Sequence, residues 1–310
     1  MIITVTLNPA LDKTITIPGF AIDRVNRVTS GRMDPGGKGI NVSKVIHSLG
    51  GESVAIAVVG GAAGEYIRDQ LDDMGIRNDC AFVRAQTRTN LKIVDPEHQT
   101  NTDLNEPGAA LQIQTLKEVW DKIYDQVKPG DTVVLAGKNP PGVPDDLLAE
   151  WVTKLREQEV KVALDTVGTA MKIGVAAGPT LIKPNDAELS ELCETELDTV
   201  AQLLAAAQKV VDNGVQYVVV SMGEDGALFV GRNLALHAHG VQVPVGSTVG
   251  AGDAMMASIV MDLERGLDWE QIAARAVATS AAKVMCNGSQ APTFAEIEPL
   301  IGQVRIEHLI

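Results

Sequence analysis

Cysteine is scarce in this 310-residue chain: Cys80, Cys193 and Cys286 are odd in number, far apart, and lack CxxC or histidine-rich spacing. Neither a disulfide framework nor a structural zinc site is suggested, and the thiols are expected to be reduced, in the cytoplasm. Basic charge is also short, with 26 Lys and Arg against 40 Asp and Glu and a net charge of -14. Nucleic acid and anionic membranes need basic patches, so neither is an expected partner, and an anionic substrate would need local cations or a metal. No apolar run approaches a membrane span, and the N-terminal Ile2 to Leu7 run has no basic lead and breaks at Asn8-Pro9, as a first strand would. Internal repeats and low-complexity tracts are missing too. Walker A is absent, and Gly60-Gly61-Ala62-Ala63-Gly64 lacks the rest of a dinucleotide fingerprint and its acidic partner. His47, His237 and His239 stand in no carboxylate or cysteine pattern and read as structural.

What is present is a chain 45% hydrophobic and 21% charged, able to bury a substantial core. The runs Thr132 to Ala136, Val160 to Leu164, Thr180 to Ile182 and Tyr217 to Val220 are short and uninterrupted, as strands covered on both faces are. Helical spacing falls between them, in the Val42, Val45, Ile46, Leu49 face and in residues 146–158 and 199–213. The alternation predicts a doubly wound α/β core in one domain over residues 1–310. Residues of about 12–32 and 88–105 read instead as short strands without helices, a small β-sheet lid. Beyond the carboxyl ends of the core strands, where such folds bind ligands, the sequence turns polar at Gly137-Lys138-Asn139, Asp165-Thr166, Lys183-Pro184-Asn185 and Ser221-Met222-Gly223.

Four segments carry candidate chemistry. Ser247-Thr248-Val249-Gly250-Ala251-Gly252-Asp253 puts small residues just before an apolar helix, a place to cradle an anion, with Asp253 within reach as a general base. The same residues also make a tight loop capped by aspartate. Pro35 to Val42 brings three glycines, Lys38 and Asn41 ahead of a helix, for sugar hydroxyls and an anionic group, or simply as a glycine-rich entry turn. Asn185 and Glu188 offer hard oxygen ligands suited to Mg²⁺, at a spacing that is also that of a capping box. Ser221 to Gly226 would cradle nucleotide phosphates or form an ordinary glycine turn. Arg88 and Arg27 have the fork that matches phosphate, and lone exposed arginines are commonly solvated.

Taken together, Gly36-Gly37-Lys38-Gly39-Ile40-Asn41 and Ser247 to Asp253 closely resemble the two signatures of the ribokinase-like (PfkB) carbohydrate kinases, over nearly the whole chain. Thr6 to Asp12, Thr87 to Ile93 and Glu106-Pro107-Gly108 are similar to the 1-phosphofructokinase and tagatose-6-phosphate kinase branch. The resemblance implies a ribokinase-like three-layer core, a lid that pairs with its twin in a homodimer, and ATP with Mg²⁺ as donor. It implies phosphorylation of a ketohexose monophosphate, with fructose 1-phosphate the expected acceptor and tagatose 6-phosphate or fructose 6-phosphate the alternatives. A silent sugar-phosphate sensor on the same fold is the reading from another class.

By that resemblance Asp253 is the catalytic base, and Gly250, Ala251 and Gly252 form the anion hole. Asp12, Gly37 and Asn41 would bind sugar hydroxyls, with Lys38, Arg88 and Arg27 near the substrate phosphate. Lys183 would meet ATP phosphates, Asn185 and Glu188 would organise Mg²⁺, and Ser221, Gly223, Gly226 and Asn287 would face the nucleotide. One departure stands out: Lys138 replaces a serine usual in the family, and Lys138→Ser is expected to shift the KM for the sugar phosphate.

Overall fold

A computed structural model describes residues 1–286, 288 and 290–309. In chain order the strands are β1 (Ile2–Thr6), β2 (Ala10–Thr16), β3 (Ser30–Gly36), β4 (Ser53–Gly60), β5 (Arg77–Asn78), β6 (Ala81–Val83), β7 (Arg88–Asp95), β8 (Thr100–Asn105), β9 (Thr132–Ala136), β10 (Lys161–Asp165), β11 (Leu181–Ile182), β12 (Tyr217–Ser221), β13 (Ala227–Gly231), β14 (Leu234–Ala238) and β15 (Ile306–His308). The helices are α1 (Lys38–Ser48), α2 (Gly61–Asp73), α3 (Ile113–Tyr124), α4 (Leu147–Glu157), α5 (Gly168–Ala176), α6 (Asp186–Cys193), α7 (Val200–Asp212), α8 (Ala251–Glu264), α9 (Trp269–Met285) and α10 (Phe294–Ile301).

Among the described residues the large sheet runs β15-β14-β13-β12-β11-β10-β9-β1-β4-β5, with β6 also on β4. From β5 to β12 every pairing is parallel, and β12 to β15 are antiparallel. Helices cover both faces, because successive strand side chains point to opposite sides. Ile3, Val133, Leu135, Val162 and Leu164 pack towards α3, α4, α5 and α7, while Ile2, Val134, Ala136 and Ala163 pack towards α1, α8 and α9. This is the doubly wound α/β architecture expected from the alternation of runs.

The second sheet has order β3-β2-β7-β8. Its register places Asp12, Asn90 and Asn105 in one row and Lys13, Leu91, Met33 and Leu104 in the next. One face is therefore polar, with Asp12, Thr14, Arg88, Asn90 and Asp103, and lies over a cavity; the opposite face carries Ile15, Met33, Leu91, Ile93 and Leu104. The loop before β3 is fastened by buried Asp95, which accepts the N–H groups of Gly19 and Phe20 at 2.9 and 2.8 Å. Cys80, Cys193 and Cys286 are free thiols. Among the described residues no helix is long and apolar enough to cross a membrane.

Candidate active site

The site is built around the start of α8. Gly250 has φ 79, a left-handed conformation that a side chain would strain, and it turns the chain sharply into the helix. Ala251 N donates to Thr248 O at 3.3 Å, the next N–H groups of the first turn of α8 precede the first intrahelical bond, from Ala254 N to Gly250 O, and the helix dipole directs partial positive charge to the same point. Asp253, the third residue of α8, is buried, and its Oδ2 accepts from Asn41 Nδ2 at 2.8 Å. Burial, joined by the nearby Asp165 carboxylate, pushes the Asp253 carboxyl above its ordinary value, against the pull of Lys38, Asn41 and Lys183. A raised carboxylate is a better acceptor for a hydroxyl proton. The other end of the Asn41 amide, Oδ1, is buried without a partner, an acceptor left for a ligand hydroxyl.

Behind Asp253 a buried carboxylate holds two lysines. Asp165, at the end of β10, receives Lys38 Nζ at 2.6 Å and Lys183 Nζ at 3.5 Å on its two oxygens. Burial alone would raise Asp165, but Lys183 and Lys38 outweigh it and hold the carboxyl below its ordinary value. Lys38 is lowered by burial and raised further by Asp165 and Asp253, so it stays protonated. A Cβ on Gly252 would come within 2.9 Å of Lys183 Nζ: this ammonium group rests directly against the turn.

Two cavities share that turn. The smaller, about 290 Å³, is polar and has Asp12, Gly37, Lys38, Asn41, Arg88 and Asp253 in its wall, with Asn90 and Lys92 of the small sheet above. Asp12 accepts from Asn90 Nδ2 at 2.9 Å, and burial raises its carboxyl. The Arg88 guanidinium donates to the carbonyl oxygens of Asn8 at 3.2 Å and Glu106 at 3.1 Å, neutral partners that leave its charge for an anion. Beneath the small sheet Lys44 is buried and pushed down to about 8 by desolvation, against Asp34 and Asp12. The larger cavity, about 480 Å³, takes Asn185, Ser221, Gly223, Gly226, Ala251 and Gly252 into its wall together with apolar Val241, Val243, Met255 and Val277.

The structure thus gathers most residues expected from sequence. Asn185 and Glu188 form the capping box of α6: Glu188 N donates to Asn185 Oδ1 at 2.7 Å and Asn185 N to Glu188 Oε2 at 2.9 Å. Arg27 and Lys138 are exposed and stand in the wall of neither cavity. Asn287 lies outside the described residues. Sequence reasoning missed Lys283 of α9, whose buried ammonium donates to Gly288 O at 2.6 Å and whose Cε lies 3.2 Å from where a Cβ on Gly250 would be. Burial lowers Lys283, against the nearby Cys286 and Asp253. The one available signal was a lysine in the otherwise apolar and small-residue run Ala281-Ala282-Lys283-Val284-Met285.

Comparison with known proteins follows the same lines. The pfkB family carbohydrate kinases match residues 5–295. A 1-phosphofructokinase of Rhodobacter capsulatus is 36% identical over 309 residues, covering 99% of this chain and 98% of the relative. The crystal structure of phosphofructokinase-2 from Escherichia coli in complex with fructose-6-phosphate superposes with a TM-score of 0.92 at 29% identity, covering 98% of each chain. Ribokinase from Thermotoga maritima, at 21% identity and a TM-score of 0.76 over 97% of this chain and 99% of that one, shares the fold.

Proposed function

The chain belongs to the pfkB family of carbohydrate kinases, and from that premise we propose that it phosphorylates a ketohexose monophosphate with ATP, its acceptor being fructose 1-phosphate. The observation that carries this reading is the shared wall. The N-terminus of α8 borders both cavities, with Ala251 and Gly252 on the larger and Asp253 on the smaller. A nucleotide in the larger cavity and a sugar phosphate in the smaller meet where helix N–H groups and Lys183 offset negative charge.

In the transfer, Asp253 takes the proton of the attacking hydroxyl as its oxygen bonds the γ-phosphorus, and the bond from that phosphorus to the β-γ bridging oxygen breaks, releasing ADP. Asn41 orients the carboxylate and offers its free Oδ1 to a neighbouring hydroxyl. Asp12 and Asn90 would hold further hydroxyls, and Arg88 with Lys38 would meet the phosphate that the substrate already carries. Mg²⁺ would neutralise the phosphates of ATP, and the oxygens of Asn185 and Glu188 suit it through water, since capping leaves a carboxylate further acceptor capacity.

Fructose 1-phosphate is preferred because Lys38 stands in the glycine loop and the relative from Rhodobacter is named for that substrate. A homodimer through the small sheet is supported by Ile22, Val25, Val28, Met33 and Leu104, large apolar side chains exposed on it and its loop. The test is a pair of measurements on Asp253→Asn: fructose 1-phosphate binding by calorimetry and ADP release with Mg²⁺-ATP. Binding kept and turnover lost supports the reading. Turnover kept at the wild-type rate removes Asp253 from the chemistry.

A further inference from the structure

The β14–β15 edge of the large sheet gathers a group that the proposed reaction does not use. His237 of β14 is paired in register with Glu307 of β15, and His239 follows two residues on, its N–H donating to Arg305 O at 2.9 Å. Period-two alternation therefore puts His237, His239, Glu307 and Arg305 on one face of the two edge strands. One ring nitrogen of each histidine and a Glu307 oxygen lie within 4.8 Å of one another. The histidine pair alone reads as structural in the sequence; its carboxylate comes from 68 residues downstream.

The hydrogen bonds say what the cluster wants. His237 Nε2 lies 2.9 Å from Asp225 O, which only accepts, so Nε2 carries the proton and the neutral ring keeps its lone pair on Nδ1. His239 Nε2 lies 3.0 Å from Glu307 Oε2 and 2.7 Å from Arg305 Nη2. The same Nη2 lies 3.2 Å from His239 Nδ1, so the guanidinium stands over the ring face while Nε2 is directed to the carboxylate. Arg305 Nη2 also stands 3.8 Å from Glu307 Oε2, so one cation sits against both the His239 ring and the carboxylate, and its side chain is 69% exposed and able to leave.

We propose that His237, His239 and Glu307 form a binding site for a borderline divalent transition ion of the Zn²⁺ class, with Arg305 as the tethered cation it displaces. Two imidazoles and one carboxylate, completed by water, are a donor set that suits Zn²⁺ or Co²⁺ and is too nitrogen-rich for Mg²⁺ or Ca²⁺. Bound there, the ion would clip β15 to β14.

The test uses the full-length, tag-free protein stripped with chelator and titrated with Co²⁺, whose d–d absorption reports a four- or five-coordinate nitrogen and oxygen site. The expected result is a saturable one-equivalent spectrum that Zn²⁺ bleaches, that His239→Ala and Glu307→Gln abolish, and that Arg305→Ala tightens about tenfold by removing a competing charge. Thermal melting of each variant checks that it is folded. Absence of the spectrum in both the wild type and Arg305→Ala overturns the proposal. So does a spectrum that survives His239→Ala and Glu307→Gln, since the ion then lies elsewhere.

Discussion

Asn41 holds Asp253 by a single charge-assisted hydrogen bond of 2.8 Å across 212 residues of sequence, joining the start of α1 to the start of α8. The bond favours the ionised carboxylate and opposes the burial that raises Asp253. Removing it has a signed consequence. In Asn41→Ala the acid limb of the kcat/KM profile moves to higher pH, because the group that must be deprotonated becomes harder to ionise. The loss of a bond to a charged group lowers kcat/KM by roughly tenfold or more. An acid limb that stays in place would show that another group controls it.

Asp253→Asn keeps the shape of the side chain and removes the base. The account predicts a fall in kcat of about 10²–10⁴-fold, with calorimetric binding of the sugar phosphate within a few-fold of wild type.

Gly252 is required by proximity, since an added Cβ would stand 2.9 Å from Lys183 Nζ. Gly252→Ala therefore displaces that ammonium from the turn or from Asp165. The expected outcome is a loss in kcat of about tenfold or more, through weakened stabilisation of transferred charge. Circular dichroism melting should change little, because alanine suits the first turn of a helix.

Asp165 links the site to stability. Its folded carboxyl is held below its unfolded value, so it contributes stability fully present above the unfolded value of 3.8 and lost as pH falls through the lower, folded one. Asp165→Asn leaves Lys38 and Lys183 without their carboxylate. Denaturant unfolding at pH 7 should show a loss of about 3 kcal/mol.

Lys283 places a buried positive charge against the Gly250 turn. Lys283→Met keeps the length and removes the charge and the bond to Gly288 O. The predicted signature is a fall in kcat with the KM for both substrates changed less than about threefold, since the turn is needed most when charge develops. Raised KM with unchanged kcat would assign Lys283 to ground-state binding.

Much of this was legible in the sequence, for physical reasons. Uninterrupted apolar runs such as Thr132 to Ala136 are written by burial on both faces, and glycines such as Gly250 by backbone geometry. The Asn41–Asp253 contact was not legible as a bond, because nothing in either segment encodes the distance between them. The same holds for Asp165, which read only as a polar strand end until β10 brought it between Lys38 and Lys183. Local spacing was ambiguous where one pattern serves two ends: Asn185 and Glu188 do form a capping box, and that bonding leaves room for water-mediated metal contact. Lys138 and Arg27 show the opposite limit, since a motif position does not say where a long exposed side chain points.

The central claim is phosphoryl transfer from ATP to fructose 1-phosphate. Its most direct test is kcat/KM for ADP release with Mg²⁺-ATP and, separately, fructose 1-phosphate, tagatose 6-phosphate, fructose 6-phosphate and free fructose. The account predicts the highest value with fructose 1-phosphate and the lowest with the unphosphorylated sugar, which offers Arg88 and Lys38 no anion. Free fructose turned over as well as the phosphates, or no turnover with any of the four while ATP still binds, would contradict it.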